Sequence, residues 1–562
     1  METMDEFNID RDKVNVLLDE FKRARMETIN SLLEEINQKR ISVVLALFSS
    51  RPAKAENYQP QFAKLESWLL MNRDQATGLP HNHVGDDRFE NWAITYDSAV
   101  VTLAYFATGR INDAKRILDF YYIQTPNAWR IGGIIEAVNP TNPALGEDWL
   151  VRTGSNLWME IAAFYLYKAT GETKYLELLK KLADFAVSLQ NNNEKDPNFG
   201  GIRLGPQEEG HVAGDQHLGY DQNQPSFYEI FATEHNIDAY ALFNMLYQET
   251  KETKYKDSRN KALHWLKNVG YNKEEHRLNR GYKRGLDPVV ATDIHSWGIS
   301  ALGVDVLDTF EPGLAEKIID FIEKNCLSET SYTKPNGQKV KVKGADFVDY
   351  KTAASLGRKP LVSPEWTFQL INAYRRLESD FRLRGDIQKE AKYRQKRQEL
   401  IKGMLALAIE SENTLAYAYA TQAEAAIGHE YNTPKEGNLS TRGVAYGILA
   451  LSGFDPLTSP TDKGTKNYVL NSFVFMPFLI GSVSFTQFDP FINWLISCLS
   501  IIITGMVVIK NRLTQQILLP LDIYDVARSQ PQEKPKDVLI PMIIQKRTRT
   551  SRPFPSQEGQ CP

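Results

Sequence analysis

The chain has 562 residues, 42% of them hydrophobic, 11% aromatic and 24% charged, which excludes a disordered chain and suits a folded protein of one large domain or two to three smaller ones. Lys and Arg number 66 against 70 Asp and Glu, and the net charge of −4 excludes the basic footprint of a nucleic-acid binder. Its three cysteines, Cys326, Cys498 and Cys561, are too widely spaced for a disulfide framework or a metal motif.

Residues 1–40 are charged, with Val14, Leu17, Leu18, Phe21, Ile29, Leu32, Leu33 and Ile36 at three- and four-residue spacing. That spacing predicts an amphipathic helical extension. Residues 41–57 resemble a secretory signal, with a basic pair at Lys39-Arg40, an apolar run to Phe48 and then Ala53-Lys-Ala55. Some forty residues precede the basic pair, so the alternative is a short buried helix or strand.

From 58 to 456 the pattern is one of helical hairpins, and it repeats. Ala162–Tyr175 followed by 176–189 is one unit, and Ala241–Tyr255 followed by 256–269 is another. A shorter version is Thr102–Ala114 with 115–122. Three looser units are 296–308 with 314–325, 365–377 with 387–408, and 443–452, whose outer partner is supplied by 61–71 from the start of the domain. The first helices are apolar nearly all round and the second carry one apolar stripe. This predicts an all-α fold, an (α/α)6 toroid of six hairpins, with an open solenoid as the alternative. The long polar stretches 205–232 and 344–364 enter inner helices at their N-termini and so lie on one rim.

After Pro456 the character changes. Residues 468–509 read as a hydrophobic membrane segment, with a buried helix of an added domain as the alternative: 491–509 is a run of 19 uncharged residues followed by Lys510-Asn-Arg512. One span places the ring on the extracytoplasmic side, the preferred reading. A hairpin that also uses 468–485 places it with the tail in the cytoplasm. The tail, 510–562, is basic and rich in Pro and Gln, the composition of a disordered segment.

Acids recur where the inner helices begin. Asp97 opens the first, Glu234 the third, Asp293 the fourth and Glu365 the fifth, with Thr233 as the expected N-cap of the third and Pro364 in the first turn of the fifth. A helix dipole favours acids there, so capping is one explanation. Convergence on an axial cleft is the other. His235, Asn236, Asp238 and His295 follow these acids closely, and Trp92, Tyr96, Trp149, Trp158, Trp297 and Trp366 lie near inner-helix starts, where aromatic faces stack on sugar rings. Asp86-Asp87-Arg88 and Gly146-Glu147-Asp148 add further polar candidates. No phosphate-binding glycine loop, zinc signature or nucleophile elbow occurs, and neither a cofactor nor a metal is expected.

The stretches Thr95-Tyr-Asp97, Thr233-Glu234-His-Asn236, Asp293-Ile-His-Ser-Trp297, Pro364-Glu365-Trp366 and Gly447–Pro456, set on such a ring, resemble the six-hairpin glycosidase superfamily over 58–456. The resemblance implies a carbohydrate substrate and, commonly, inversion at the sugar. Two carboxyl groups do the work in glycoside hydrolysis, one protonating the leaving oxygen and the other activating water or attacking the sugar. Glu234 is expected as the general acid, and Glu365, then Asp97, as the base. A polysaccharide lyase or sugar epimerase on the same ring would depend instead on His235, His295 and Tyr96. A non-catalytic ring that binds glycan or protein would depend on none of them.

Overall fold

The computed structural model describes residues 58–123, 128–207, 226–428 and 432–458. The charged extension, the signal-like stretch, the hydrophobic segments at 468–485 and 491–509 and the tail lie outside the described residues. Among the described residues no helix is long and apolar enough to cross a membrane.

Among the described residues thirteen α-helices follow in chain order. They are α1 (Gln59–Met71), α2 (Thr95–Thr108), α3 (Ile111–Ile123), α4 (Thr153–Thr170), α5 (Thr173–Ser188), α6 (Thr233–Thr250), α7 (Thr253–Trp265), α8 (Asp293–Leu307), α9 (Leu314–Asn325), α10 (Tyr350–Ser355), α11 (Pro364–Leu383), α12 (Ile387–Leu407) and α13 (Thr441–Ser452). Helices α2, α4, α6, α8, α11 and α13 each pack on the next, and α13 packs back on α2, so the ring is closed. Each inner helix has an outer partner, and α1 packs on α13, completing the last hairpin with the first helix of the domain.

Burial explains the layering. Helix α4 buries residues on every side, from Thr153 to Leu166, because it has inner neighbours left and right and an outer helix behind. Helix α9 buries only Leu314, Ala315, Ile318, Ile319 and Ile322, one stripe at helical spacing. The inner helices all start at one rim. At the opposite end Phe454 packs its ring 5.2 Å from Phe106 and 4.9 Å from Tyr165, and the Tyr165 hydroxyl donates to the Pro456 carbonyl at 3.1 Å. The segment after α13 thus plugs that end.

Of the polar stretch expected at 205–232, residues 208–225 lie outside the described residues; the described rim carries short strands as well as loops. Antiparallel ribbons lead into the inner helices, because short strands satisfy the backbone groups that a buried loop leaves unpaired. Ala93–Ile94 pairs with Ala137–Val138, which pairs with Gly146–Asp148; Ile230–Ala232 pairs with Gly281–Lys283. The polar stretch before α11 begins inside a hairpin of Leu327–Thr333 with Lys339–Ala345 and then forms α10. Thr233 is not the N-cap of α6. Ala232 holds that position without a side-chain bond, and the Thr233 N–H instead donates to the Arg280 carbonyl at 2.9 Å, so the ribbon rather than a hydroxyl sets the start. Ser363 and Ser440 do cap α11 and α13.

Candidate active site

A cavity of about 790 Å³ opens at the rim, within the range of small-ligand sites. Its lower wall is aromatic. Trp158 lies 5.4 Å from Tyr96, edge to face, and 5.2 Å from Trp297. Trp366, packed edge to face on Phe347 at 4.9 Å, and Trp92, packed the same way on Phe89 at 5.6 Å, also line it. The indole N–H of Trp297 is buried without a hydrogen-bond partner among the described residues, and that of Trp158 is directed at the Asp238 carboxyl.

Four carboxyl groups reach this cavity from three inner helices: Glu234 and Asp238 on α6, Asp293 on α8 and Glu365 on α11. Asp238 follows Glu234 by four residues and sits one turn deeper on the same face. Burial raises Asp238 well above the ordinary range, and the charges of Glu234 and Asp293 raise it further. Burial, Glu234 and Glu365 do the same to Asp293. Burial pushes the Glu365 carboxyl up to about 7, against the pull of the Arg442 cation and with a push from Asp97 and Glu234. Glu365 accepts a hydrogen bond from the Tyr96 hydroxyl at 3.2 Å, and that hydroxyl is paired with the Tyr446 hydroxyl at 2.8 Å. Glu234 is the most open of the four, and one of its oxygens lies 3.2 Å from His235 Nε2.

His235 has its place because α4 offers a glycine there. A Cβ on Gly154 would meet the His235 ring at 2.3 Å. Arg152, Asp148 and Glu136 form one charged wall, with Arg152 3.0 Å from Asp148 and 3.7 Å from Glu136. Arg280 and Asp287, 2.8 Å apart, form another.

Several expected residues lie elsewhere. Asp97 is fully buried beneath the floor and bonded to Arg442; burial pushes it up to about 6 despite that cation. Asn236 spends its amide on backbone, accepting from Ile202 N at 2.7 Å and donating to the carbonyls of Ile202 and Ala232. His295 bonds the Ala291 carbonyl at 2.9 Å and stacks on Phe321 of α9, and burial holds it down to about 3. Trp149 stands outside the cavity, 47% exposed. Asp86 is buried in an ion pair with Arg88 at 2.6 Å, and of the Asp86-Asp87-Arg88 run only Arg88 lines the cavity.

Sequence reasoning passed over Arg442, His83 and Tyr446. Arg442 is the second residue of α13, the position that Glu365 holds in α11, but the search there was for acids. His83 precedes the rim loop without any periodic signal, and burial keeps it neutral against Tyr419. Among the described residues no three His, Cys, Asp or Glu side chains are arranged to hold a metal ion.

No protein-family model and no curated protein matches the sequence. Solved structures that resemble the chain include a sugar epimerase from a ruminal bacterium, at 12% identity and a TM-score of 0.48, covering 74% of this chain and 99% of that one. An α-1,6-mannanase from a Salegentibacter species matches at 13% identity and a TM-score of 0.45, covering 70% and 98%. A cellobiose 2-epimerase from Bacillus thermoamylovorans matches at 12% and 0.47, covering 69% and 97%. At such values the likeness bears on neither substrate nor reaction.

Proposed function

We propose that the protein is a glycoside hydrolase whose reaction takes place in the rim cavity. The observation that carries this reading is the convergence of Glu234, Asp238, Asp293 and Glu365 on one space floored by Tyr96, Trp158, Trp297 and Trp366. A bound sugar would lie on the aromatic floor with carboxyl groups on more than one side of it, the arrangement that protonation and attack at a glycosidic bond require.

The roles differ from those expected of the sequence. Glu365, at about 7, holds its proton near neutral pH and is assigned as the general acid. Glu234, the more exposed carboxyl beside His235, is assigned as the base that activates water. Asp293 and Asp238, whose pKa values burial raises, line the cavity where they would hydrogen-bond sugar hydroxyls. A second reading draws on the 3.2 Å contact between His235 and Glu234. A lyase or epimerase would use His235 as its base with Tyr96 nearby, and His295, buried away from the cavity, would take no part.

The test is incubation of the full chain with α- and β-glucans, mannans and uronate polymers, reading reducing ends and the ultraviolet absorbance of an unsaturated product. New reducing ends without absorbance, lost by ~10²–10⁴ in rate in Glu365→Gln, are the expected result. Absorbance with the reducing ends identifies a lyase. Turnover that survives Glu365→Gln but not His235→Ala sinks the two-carboxylate assignment.

A further inference from the structure

On the lip of the cavity the chain presents an aromatic surface that the proposed reaction does not use. Trp149 is 47% exposed, and its indole lies on Gly146. A Cβ built on that glycine would meet Cε2 at 2.5 Å, Cζ2 at 2.7 Å and Cδ2 at 2.8 Å. Cε2 and Cδ2 form the fused bond at the ring junction, and such an approach to both comes across the face of the indole, not its edge. Backbone therefore covers one face. With nearly half of the residue exposed, the opposite face is turned to solvent.

The platform is anchored. Gly146–Asp148 is a strand paired with Ala137–Val138, and Arg130 Nη1 donates to the Trp149 carbonyl at 2.9 Å. That bond joins it to the ribbon of Trp129–Arg130 with Gly133–Ile134, whose turn residue Ile131 is exposed and holds φ at 50°. A β-branched residue adopts this left-handed conformation only at a cost, and such strain concentrates at binding sites. Asp148 and Arg152, on either side of Trp149 in the chain, line the cavity, so the platform continues the cavity wall outward.

We infer that Trp149 is an outer subsite, on which one pyranose ring of a glycan stacks while another part of the same chain occupies the cavity. This rests on the reading of the cavity as a sugar site. The axial C–H groups of a pyranose carry partial positive charge and pack on the negative face of an aromatic ring. A ring already held by backbone loses little freedom on binding. One exposed indole face matches a sugar ring better than a protein partner, which needs a face of ~800 Å². The substrate is accordingly an oligo- or polysaccharide that extends beyond the cavity, not a disaccharide alone.

The experiment is binding of full-length Glu365→Gln protein to a glycan array, alone and with Trp149→Ala, Trp149→Phe or Gly146→Ala added. Removal of the indole is expected to weaken tetrasaccharides and longer glycans ~5- to 10-fold and to leave disaccharides unchanged. Gly146→Ala, whose methyl group displaces the indole, should reproduce this loss, and Trp149→Phe should restore most of it. Equal binding of long glycans with and without the indole overturns the inference and leaves the cavity reading standing. Equal loss of short and long glycans makes Trp149 a structural residue and also overturns it. Capture of no glycan by the parent protein overturns it as well. Trp149-dependent binding together with no turnover of any polymer by the protein with Glu365 intact keeps the subsite and removes the hydrolase.

Discussion

Glu365 shows how one residue's chemistry depends on its neighbours. Burial is the largest influence on its carboxyl, and the Tyr96 hydrogen bond and the Arg442 cation draw it back down. Loss of the Tyr96 hydroxyl therefore raises the Glu365 pKa. A general acid works while protonated, so activity falls as pH rises through that pKa. Tyr96→Phe should move the alkaline limb of kcat/KM to higher pH, with a loss of ~10-fold or less in the maximum. A profile unchanged in position would show that Glu365 is not the acid. The same scale explains which acids could be read in advance. Glu234 and Glu365 are second residues of their helices. Asp293 is in effect second too, because Thr292 already has helical angles. Asp97 is the third residue of α2, and one residue turns a side chain about 100° around a helix, away from the axis. His295 follows Asp293 by two and is turned outward for the same reason. A run of residue types marks a helix start; only the register decides which side chain faces the cavity.

The elements carry their own constraints. Helix α8 breaks inside its apolar run at Gly303, which holds φ 65° and ψ 176°. A Cβ there would meet the Arg376 guanidinium, itself held by Asp380 at 3.0 Å and the Ser300 carbonyl at 3.2 Å. Gly303→Ala should cost roughly 1–2 kcal/mol in denaturant unfolding, from the left-handed backbone and the displaced arginine. Helix α4 buries Glu160 completely, and neither of its oxygens has a hydrogen-bond partner among the described residues. Burial raises its pKa well above the ordinary 4.5, and Asp184 on α5 adds to this. The folded protein thus holds a proton that the unfolded chain releases above about 4.5. Stability from this group is full below that pH and declines as pH rises. Glu160→Gln should raise the Tm by roughly 2–4 °C near pH 8 and by little near pH 4. A gap that does not grow with pH would show that Glu160 is ionised in the fold. The hairpins themselves were legible, since a helix wrapped on every side is apolar all round and an outer helix is not. The two- and three-residue rim ribbons were not, because strands so short have no period of their own; the seven-residue hairpin Leu327–Thr333 with Lys339–Ala345 did carry an alternation, in Lys339-Val-Lys-Val-Lys343, that sequence reasoning passed over.

At the scale of the molecule, closure makes the six hairpins one cooperative unit. Helix α1 comes first in the domain and completes the last hairpin, with Leu65, Trp68 and Leu69 buried. The strand pair His83–Val84 with Leu439–Ser440 ties the two ends of the ring again at the rim. Trp68→Ala should cost ~3–5 kcal/mol. The loss should appear in a single transition, coincident by fluorescence and far-ultraviolet circular dichroism. An open solenoid would instead fray from that end in a separate, earlier step.

The sequence by itself determined the helical class, the six-fold repeat, the pairing of the first helix with the last and the rim where the acids gather. These follow from periodicity and order along the chain, which are local properties. The tertiary structure alone decided that Arg442, in the cavity wall, pairs with the buried Asp97, that Gly154 makes room for His235, and that Trp149 stands outside the cavity. In the proposed reaction the acid is accordingly Glu365 rather than Glu234, because burial raises the Glu365 carboxyl to about 7. A carboxyl group's proton affinity depends on burial and on charges brought near by distant segments, and no spacing along a chain records either.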